Sequence, residues 1–123
     1  MIVQVDPTAP LAVYEQLRVQ ISRLITSGEL PAGAQLPTIR QLAADMNLAK
    51  DTVGRTYELL ERDRLVERRG RRGTVVVDRP LRRADAAAAV AKAADDFALA
   101  AVQLGIAPDD ACAAVRRAMT AIV

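Results

Sequence analysis

Two short apolar series separated by three residues constrain the fold of this chain most strongly. The first runs from Ile39 to Met46 and the second from Lys50 to about Asp63, each with apolar side chains three or four residues apart, as in a helix. Thr38 and Gln41 have the spacing of a capping box, which opens a helix. Asn47 can adopt the left-handed conformation that ends one. Two helices joined by so short a turn form a helix-turn-helix unit.

A longer helix precedes this unit and a β-hairpin follows it. Apolar residues at helical spacing predict a first helix that opens near Pro10 and ends at Gly28. The runs Leu65–Arg69 and Thr74–Val77 are rich in β-formers and flank the turn Gly70-Arg-Arg-Gly73, which predicts a hairpin. Three helices followed by a basic hairpin have the order of a winged helix.

Two further segments lie around the first helix. The alternation of side chains over Ile2–Val5 predicts a short strand. Paired prolines and a glycine predict that the segment from Glu29 to Pro37 is a loop, held to the core by Leu30 and Leu36.

Positive charge is concentrated in one segment. The chain has 17 basic and 15 acidic residues, a net charge of +2. Residues 62–83, however, carry nine arginines and three acidic residues, a local balance of +6. The part after Pro80 has five basic and five acidic side chains and is neutral. Such a basic stretch is expected of a surface that faces phosphates.

The composition excludes several classes of protein. With no histidine and a single cysteine, Cys112, an intrachain disulfide is excluded and a structural zinc site is hard to build. No P-loop or serine elbow is present, so we expect no enzyme activity, no metal and no cofactor. Apolar runs far shorter than the roughly 20 residues that span a bilayer, and the lack of a signal peptide, predict a soluble cytoplasmic protein without membrane contact. Cys112 is interpreted as a small buried apolar residue, with an interchain or redox-sensing thiol as the alternative.

The second helix of the helix-turn-helix unit carries Lys50, Asp51, Thr52 and Arg55 away from its core positions. Short polar and basic side chains near a helix start fit the major groove of DNA. Asp51 could accept a hydrogen bond from a cytosine amino group, and an ion pair with Asp51 or Glu58 is the alternative for Arg55. Tyr57 is in register with the core positions and is expected to be buried rather than to stack on a base.

The hairpin tip joins arginine to glycine, which lets the backbone approach DNA closely, and arginine is favoured in narrow minor grooves. The alternative is that Arg71 and Arg72 keep an exposed tip soluble. The predicted DNA-contacting residues are Arg40, Lys50, Asp51, Thr52, Arg55, Arg69, Arg71, Arg72, Gly73 and Thr74.

A heptad-like apolar stripe follows the basic segment and consists of Val90, Ala94, Phe97, Ala101 and Leu104. Gly105 interrupts it and Pro108 opens a second helix. Two helices of this size cannot bury both faces alone, so we expect a second copy of the chain to cover them; packing onto the winged helix is the alternative. The predicted dimerisation residues are Val90, Ala94, Phe97, Ala101, Leu104, Val115 and Met119.

The predicted fold is therefore mainly α with a small β-hairpin. A winged helix-turn-helix over residues 1–78 is joined by a linker, residues 79–83, to a two-helix dimerisation region over residues 84–123.

Residues 10–77 resemble the DNA-binding domain of the GntR family of bacterial regulators. The resemblance is carried by Leu36–Ala43, Thr52-Val53, Leu59–Glu61, Leu65–Arg68 and Gly73–Val76. The segment Pro10–Leu17 and the short two-helix tail are similar to the YtrA subfamily, so the resemblance extends over nearly the whole chain.

The resemblance implies that Arg40 and Lys50 contact DNA, together with Thr52 and the wing tip over residues 71–74. This chain departs from the family's pattern at several positions, of which one bears on the binding surface and one on the hairpin. Gly54 stands where the family commonly carries a base-reading arginine, and Arg64 replaces the usual glycine before the first wing strand.

These features favour a homodimeric transcriptional regulator, a repressor that binds a palindromic operator in double-stranded DNA. A winged helix that docks another protein is the alternative, although the arginine excess argues against it because charge is depleted in the core of protein interfaces. A small-molecule effector at the dimer interface stays open, since no polar cluster marks a site for one.

Overall fold

The computed structural model describes residues 1–80, 82 and 85–122. The chain is mainly α-helical with one two-stranded antiparallel sheet, as predicted. Its elements are α1 (Val13–Thr26), α2 (Ile39–Met46), α3 (Lys50–Arg62), β1 (Val66–Arg68), β2 (Thr74–Val76), α4 (Ala86–Gln103) and α5 (Pro108–Ile122). They form two compact units, Met1–Arg82 and Arg83–Val123. The predicted linker includes residues 81 and 83, which lie outside the described residues.

The core of the first unit lies between α1 and α3. Leu17, Ile21 and Ile25 of α1 are fully buried, as is Leu60 of α3. Tyr57 is only 2% exposed, and its hydroxyl donates to the Pro37 main-chain oxygen at 2.7 Å. The prediction that Tyr57 is a core residue is confirmed.

The start and end of α2 follow its local sequence. The Thr38 hydroxyl accepts from the Gln41 main-chain nitrogen at 3.0 Å, and the Gln41 side-chain oxygen accepts from the Thr38 nitrogen at 3.0 Å. Asn47 ends the helix in the left-handed region, at φ 54°. Both predictions are confirmed, and together they set the short turn that leads into α3.

The chain before α1 differs from the prediction. The helix begins at Val13 rather than near Pro10, and Ile2–Val5 forms no strand. Two glutamines of α1 instead bind this segment. The Gln16 side chain accepts from the Asp6 nitrogen at 2.7 Å and donates to the Asp6 oxygen at 2.8 Å, and Gln20 pairs with Gln4 in the same way. Side-chain amides therefore satisfy backbone groups that a neighbouring strand would otherwise bind.

The hairpin pairs Val66 with Val76 and Arg68 with Thr74. The segment before α2, which we expected to be only a loop, lies along the other edge of β2. The Leu36 nitrogen donates to the Thr74 oxygen at 2.8 Å, and the Val76 nitrogen donates to the Ala34 oxygen at 2.8 Å. This pairing anchors the base of the hairpin to the helical core.

The second unit consists of α4 and α5. Gly105 follows the end of α4 with φ +70°, and the Ile106 nitrogen donates to the Ala101 oxygen at 2.9 Å, which closes the helix. Pro108 is the first residue of α5, as predicted. In the part of the chain that the structure describes, no helix has the length and apolar character needed to cross a membrane.

Candidate nucleic-acid interface

The start of α3 presents polar side chains to solvent. Lys50 and Asp51 are exposed and Thr52 is partly buried in the first turn. Ala49 precedes them in an extended conformation, with φ −65° and ψ 144°, and provides no side-chain cap. The amino end of a helix carries partial positive charge, which favours an approaching phosphate.

A shallow groove of about 480 Å³ brings several predicted DNA contacts together. Lys50, Asp51 and Arg55 line it, with Ile39 from the start of α2 and Glu58. Gly54 also lines the groove, where an added Cβ would lie 3.9 Å from Ile39 Cδ1, an ordinary contact distance. The position therefore has room for a side chain, and glycine leaves the groove open.

Arg40 follows Ile39 on α2 and is exposed. It is a further basic residue in the first turn of the helix that contributes Ile39 to the groove. Arg40 does not itself line the groove.

Arg55 contacts an aromatic ring on another helix, a contact that has no signal in the local sequence. Its guanidinium carbon lies 3.9 Å from the centroid of the Tyr14 ring, a cation–π contact. Of the ion pairs between described residues, none joins Arg55 to Asp51 or Glu58. The alternative interpretation of Arg55 as an ion-pair partner of these acids is therefore wrong.

The hairpin tip is a single 3₁₀ turn over Gly70–Arg72, and Arg71 and Arg72 are exposed on it. Gly73 has φ +70°, a value that favours glycine, and its oxygen accepts from the Arg69 nitrogen at 2.8 Å. Thr74 is partly buried in β2. The tip therefore projects two guanidinium groups from a closed turn.

Arg69 differs from the two arginines at the tip. Its guanidinium forms an ion pair with Glu67 and a second one with Asp78 at 3.5 Å. The hydrogen bond with Glu67 is the main reason that the pKa of Arg69 is raised. The guanidinium that was predicted to face DNA is thus paired with one carboxylate on β1 and one just after β2.

The second unit carries a different candidate surface. An apolar groove of about 520 Å³ lies between α4 and α5 and contains Phe97, Ala101 and Val115 of the predicted dimerisation residues. Val102 and Ile106 also line it, although the heptad-like stripe did not include them.

The other four predicted dimerisation residues, Val90, Ala94, Leu104 and Met119, are exposed but do not line this groove. The groove lies at the turn between the helices, whereas the stripe follows the length of α4. The apolar spacing along α4 alone therefore could not predict that Val102 and Ile106, near the turn, also line the groove.

Cys112 is exposed and lines the same groove, so the prediction that it is buried was wrong. Neither α4 nor α5 has a fully buried residue among the residues described. A small apolar side chain on α5 therefore stays accessible in the single chain.

Comparison with known proteins agrees with these features. Residues 13–76, the region from α1 to β2, match the family described as bacterial regulatory proteins, gntR family. The chain is 39% identical over 108 residues to the HTH-type transcriptional regulator Rv1152 of Mycobacterium tuberculosis, covering 88% of this chain and 86% of that protein.

Two YtrA proteins are also similar. The HTH-type transcriptional repressor YtrA of Bacillus subtilis is 34% identical over 74 residues, which cover 60% of this chain and 57% of the repressor. The structure of YtrA from Sulfolobus acidocaldarius, described as a GntR-family transcription factor, superposes with a TM-score of 0.61 at 28% identity, over 77% of this chain and 99% of that one.

The predicted family and winged-helix fold are confirmed by these matches. The chain belongs to the GntR family of bacterial regulatory proteins, as a YtrA-like transcriptional regulator that binds DNA and is not an enzyme.

Proposed function

We propose that this protein is a homodimeric repressor that binds an inverted-repeat operator in the cytoplasm. The observation that carries the proposal is the pair of basic features on one winged-helix unit. These are the groove at the start of α3, lined by Lys50 and Arg55, and the exposed Arg71 and Arg72 at the hairpin tip. A helix start and a basic hairpin are the parts that a winged helix presents to DNA.

In this proposal, the start of α3 enters the major groove. Lys50, Thr52 and Arg55 approach base edges, and Asp51 accepts from a cytosine amino group. Arg40, exposed at the start of α2, contacts the phosphate backbone and fixes the orientation of the domain. We assign the wing contacts to Arg71 and Arg72, supported by the backbone of Gly73 and Thr74.

Arg69 has a different role in this arrangement. Its ion pairs with Glu67 and Asp78 join β1 to the residues after β2. A DNA contact by Arg69 would have to compete with both carboxylates. We propose that Arg69 supports the hairpin and adds less to DNA affinity than the arginines at the tip.

The second unit supports the proposal of a dimer. Val90 and Met119 are 65% and 61% exposed, and Phe97 is 43% exposed. Apolar side chains this accessible on two neighbouring helices are typical of a surface that another chain covers. In a dimer, the two copies of α3 would be related by a two-fold axis and would read two half-sites about one helical turn of DNA apart. The repressor function is inferred from the name of the Bacillus subtilis relative.

Selection of genomic fragments with the purified protein at several salt concentrations tests the DNA-binding proposal. We expect enrichment of a few fragments, and we expect Arg40→Ala and Arg72→Ala to weaken binding to them. Arg23→Ala is a matched control, because it removes an exposed arginine from the far end of α1. Absence of enrichment at every salt concentration would contradict operator binding and favour a protein partner for the basic hairpin.

Sedimentation of the full chain tests the dimer. We expect twice the mass of one chain for the native protein and a single-chain mass for Phe97→Asp, which puts a charge into the apolar groove. Leu99→Asp is the control, because Leu99 is exposed on α4 but lies outside both the predicted stripe and the groove. A native chain that sediments as a monomer at micromolar concentration would contradict the proposal.

A further inference from the structure

We infer that Tyr14, a residue of α1 outside the helix-turn-helix unit, is a positioning residue that holds Arg55 ready for contact with DNA. The inference starts from the stack of the Arg55 guanidinium on the Tyr14 ring, at 3.9 Å from its centroid. It rests on the proposed function in one respect, which is that Arg55 contacts DNA.

The contact with the ring restricts the position of the Arg55 guanidinium. A guanidinium that lies over a ring keeps its N–H groups around its edge, where they can bind a base or a phosphate in a bidentate way. Among the described residues, Arg55 donates no side-chain hydrogen bond, so these donors are not used within the domain. Tyr14 therefore orients the side chain without occupying the atoms that would bind DNA.

The two acidic residues near Arg55 make this orientation important. Asp51 and Glu58 lie one turn before and one turn after Arg55 on α3, and both line the same groove. At these spacings each could form an ion pair with Arg55. Either pair would direct the guanidinium along the helix and occupy its donors. The Tyr14 ring holds the guanidinium in a position that belongs to neither ion pair, so its N–H donors stay free.

The position of Tyr14 is itself fixed by the core. The Thr56 hydroxyl, which is fully buried, donates to the Tyr14 main-chain oxygen at 2.8 Å. Two consecutive residues of α3, Arg55 and Thr56, thus contact the same residue of α1. Because the hydrogen bond involves the main chain of Tyr14, substitution of its side chain leaves this link between α1 and α3 in place.

A double-mutant cycle on Tyr14 and Arg55 tests the inference. The probes are a labelled duplex containing the site protected in the selected fragment and a scrambled duplex of the same length, with affinity measured by fluorescence anisotropy. Tyr14→Leu removes the aromatic face and keeps an apolar side chain, whereas Tyr14→Phe keeps the ring. We expect Tyr14→Leu to weaken binding about two- to five-fold and Tyr14→Phe to bind like the native protein.

The Arg55→Ala background separates positioning from general structure. If Tyr14 acts through Arg55, Tyr14→Leu has no further effect once Arg55 is alanine. Equal weakening by Tyr14→Leu in both backgrounds would show a structural role only and overturn the inference. Unchanged or tighter binding by Tyr14→Leu alone would also overturn it, since the ring would then be neutral or would hold Arg55 away from DNA.

Arg55→Lys keeps the inference testable if Tyr14→Leu does not fold. Lysine retains the charge but lacks the planar guanidinium, so we expect Arg55→Lys to bind DNA more weakly than the native protein when Tyr14 provides the ring. Equal affinity of Arg55→Lys and the native protein would overturn the inference. If Arg55→Ala leaves affinity unchanged while Arg72→Ala weakens it, Arg55 does not contact DNA and the inference is overturned. Operator binding itself would still stand. Failure of the native protein to bind either duplex would contradict the proposed function instead.

Discussion

Arg82 donates a hydrogen bond from Nη1 to the main-chain oxygen of Ile25 at 2.8 Å, and so joins the chain beyond the hairpin to the end of α1. The same oxygen accepts from the Gly28 nitrogen at 3.1 Å, so Arg82 adds a second donor at the end of the helix, where carbonyl groups have no partner within the helix. A cation is also favoured at this end because the helix dipole is negative there. The residues after the hairpin therefore contribute to the stability of the first unit.

We predict that Arg82→Ala lowers the free energy of unfolding of this unit by about 1–2 kcal/mol, since a hydrogen bond from a charged group is lost. Urea unfolding followed by circular dichroism measures the change. Arg79→Ala is the matched control, because Arg79 is an exposed arginine in the same segment. Equal loss in the two variants would show that Arg82 acts by net charge alone.

A second prediction concerns Arg64, which has φ +61° just before β1. An L-residue in this left-handed conformation is strained by roughly 1–2 kcal/mol, a strain that glycine avoids. This explains why glycine is usual at the corresponding position of the family. We expect Arg64→Gly to raise the free energy of unfolding by about 1 kcal/mol. Arg64→Ala removes the same charge but keeps Cβ, so a similar gain in that variant would contradict the backbone explanation.

The buried hydroxyl of Tyr57 predicts a dependence of stability on pH. Burial raises the pKa of Tyr57 above its ordinary value of 10.0. The unfolded chain therefore loses the phenol proton at lower pH than the folded one. The stability that Tyr57 contributes is fully present below about pH 10 and falls as the pH rises further, by at most about 1.4 kcal/mol per pH unit.

Tyr57→Phe isolates this contribution. At neutral pH we expect the variant to be less stable by about 1 kcal/mol, because the Pro37 oxygen loses its donor. Above about pH 10 the gap between the native protein and the variant should close, since only the native chain carries this phenol. Unfolding curves at matched pH values measure the gap. A gap that stays constant to high pH would contradict the assignment.

A fourth prediction separates the arginines of the hairpin. Arg72 is exposed at the tip, whereas Arg69 is paired with Glu67 and Asp78. Log affinity falls linearly with log salt concentration, and each phosphate contact makes this fall steeper by about 0.9. We expect Arg72→Ala to make the fall shallower by about one and Arg69→Ala to change it by clearly less. The same loss of slope in both variants would contradict the supporting role of Arg69.

The parts of the fold that sequence predicts best are those with local causes. The bounds of α2 follow from a capping box and a left-handed asparagine within a few residues of the helix. The apolar core positions of α3, Val53, Tyr57 and Leu60, follow from their spacing alone, whereas the buried Thr56 has no such signal. Winged-helix order was predictable for the same reason, because each helix and strand carries its own pattern.

The contacts that sequence did not predict join distant segments. Residues 33–36 pair with β2 although Gly33 and the flanking prolines, Pro31 and Pro37, are typical of a loop. The strand predicted over Ile2–Val5 is replaced by pairing with Gln16 and Gln20. The stack of Arg55 on Tyr14 has no local signal either, because an arginine near two acids one turn away is equally typical of an ion pair. Each of these contacts depends on how segments far apart in the sequence pack together, and the last one on how α1 packs against α3.

Hydroxyl-radical footprinting of the native protein on its best selected fragment tests the central claim most directly. A two-fold dimer that inserts one α3 into each half-site should protect two equivalent regions, related by an inverted repeat and about one helical turn, or about 10 base pairs, apart. A single protected region without sequence symmetry, or protection that does not differ from that of a scrambled fragment, would contradict a dimeric regulator that reads an inverted repeat.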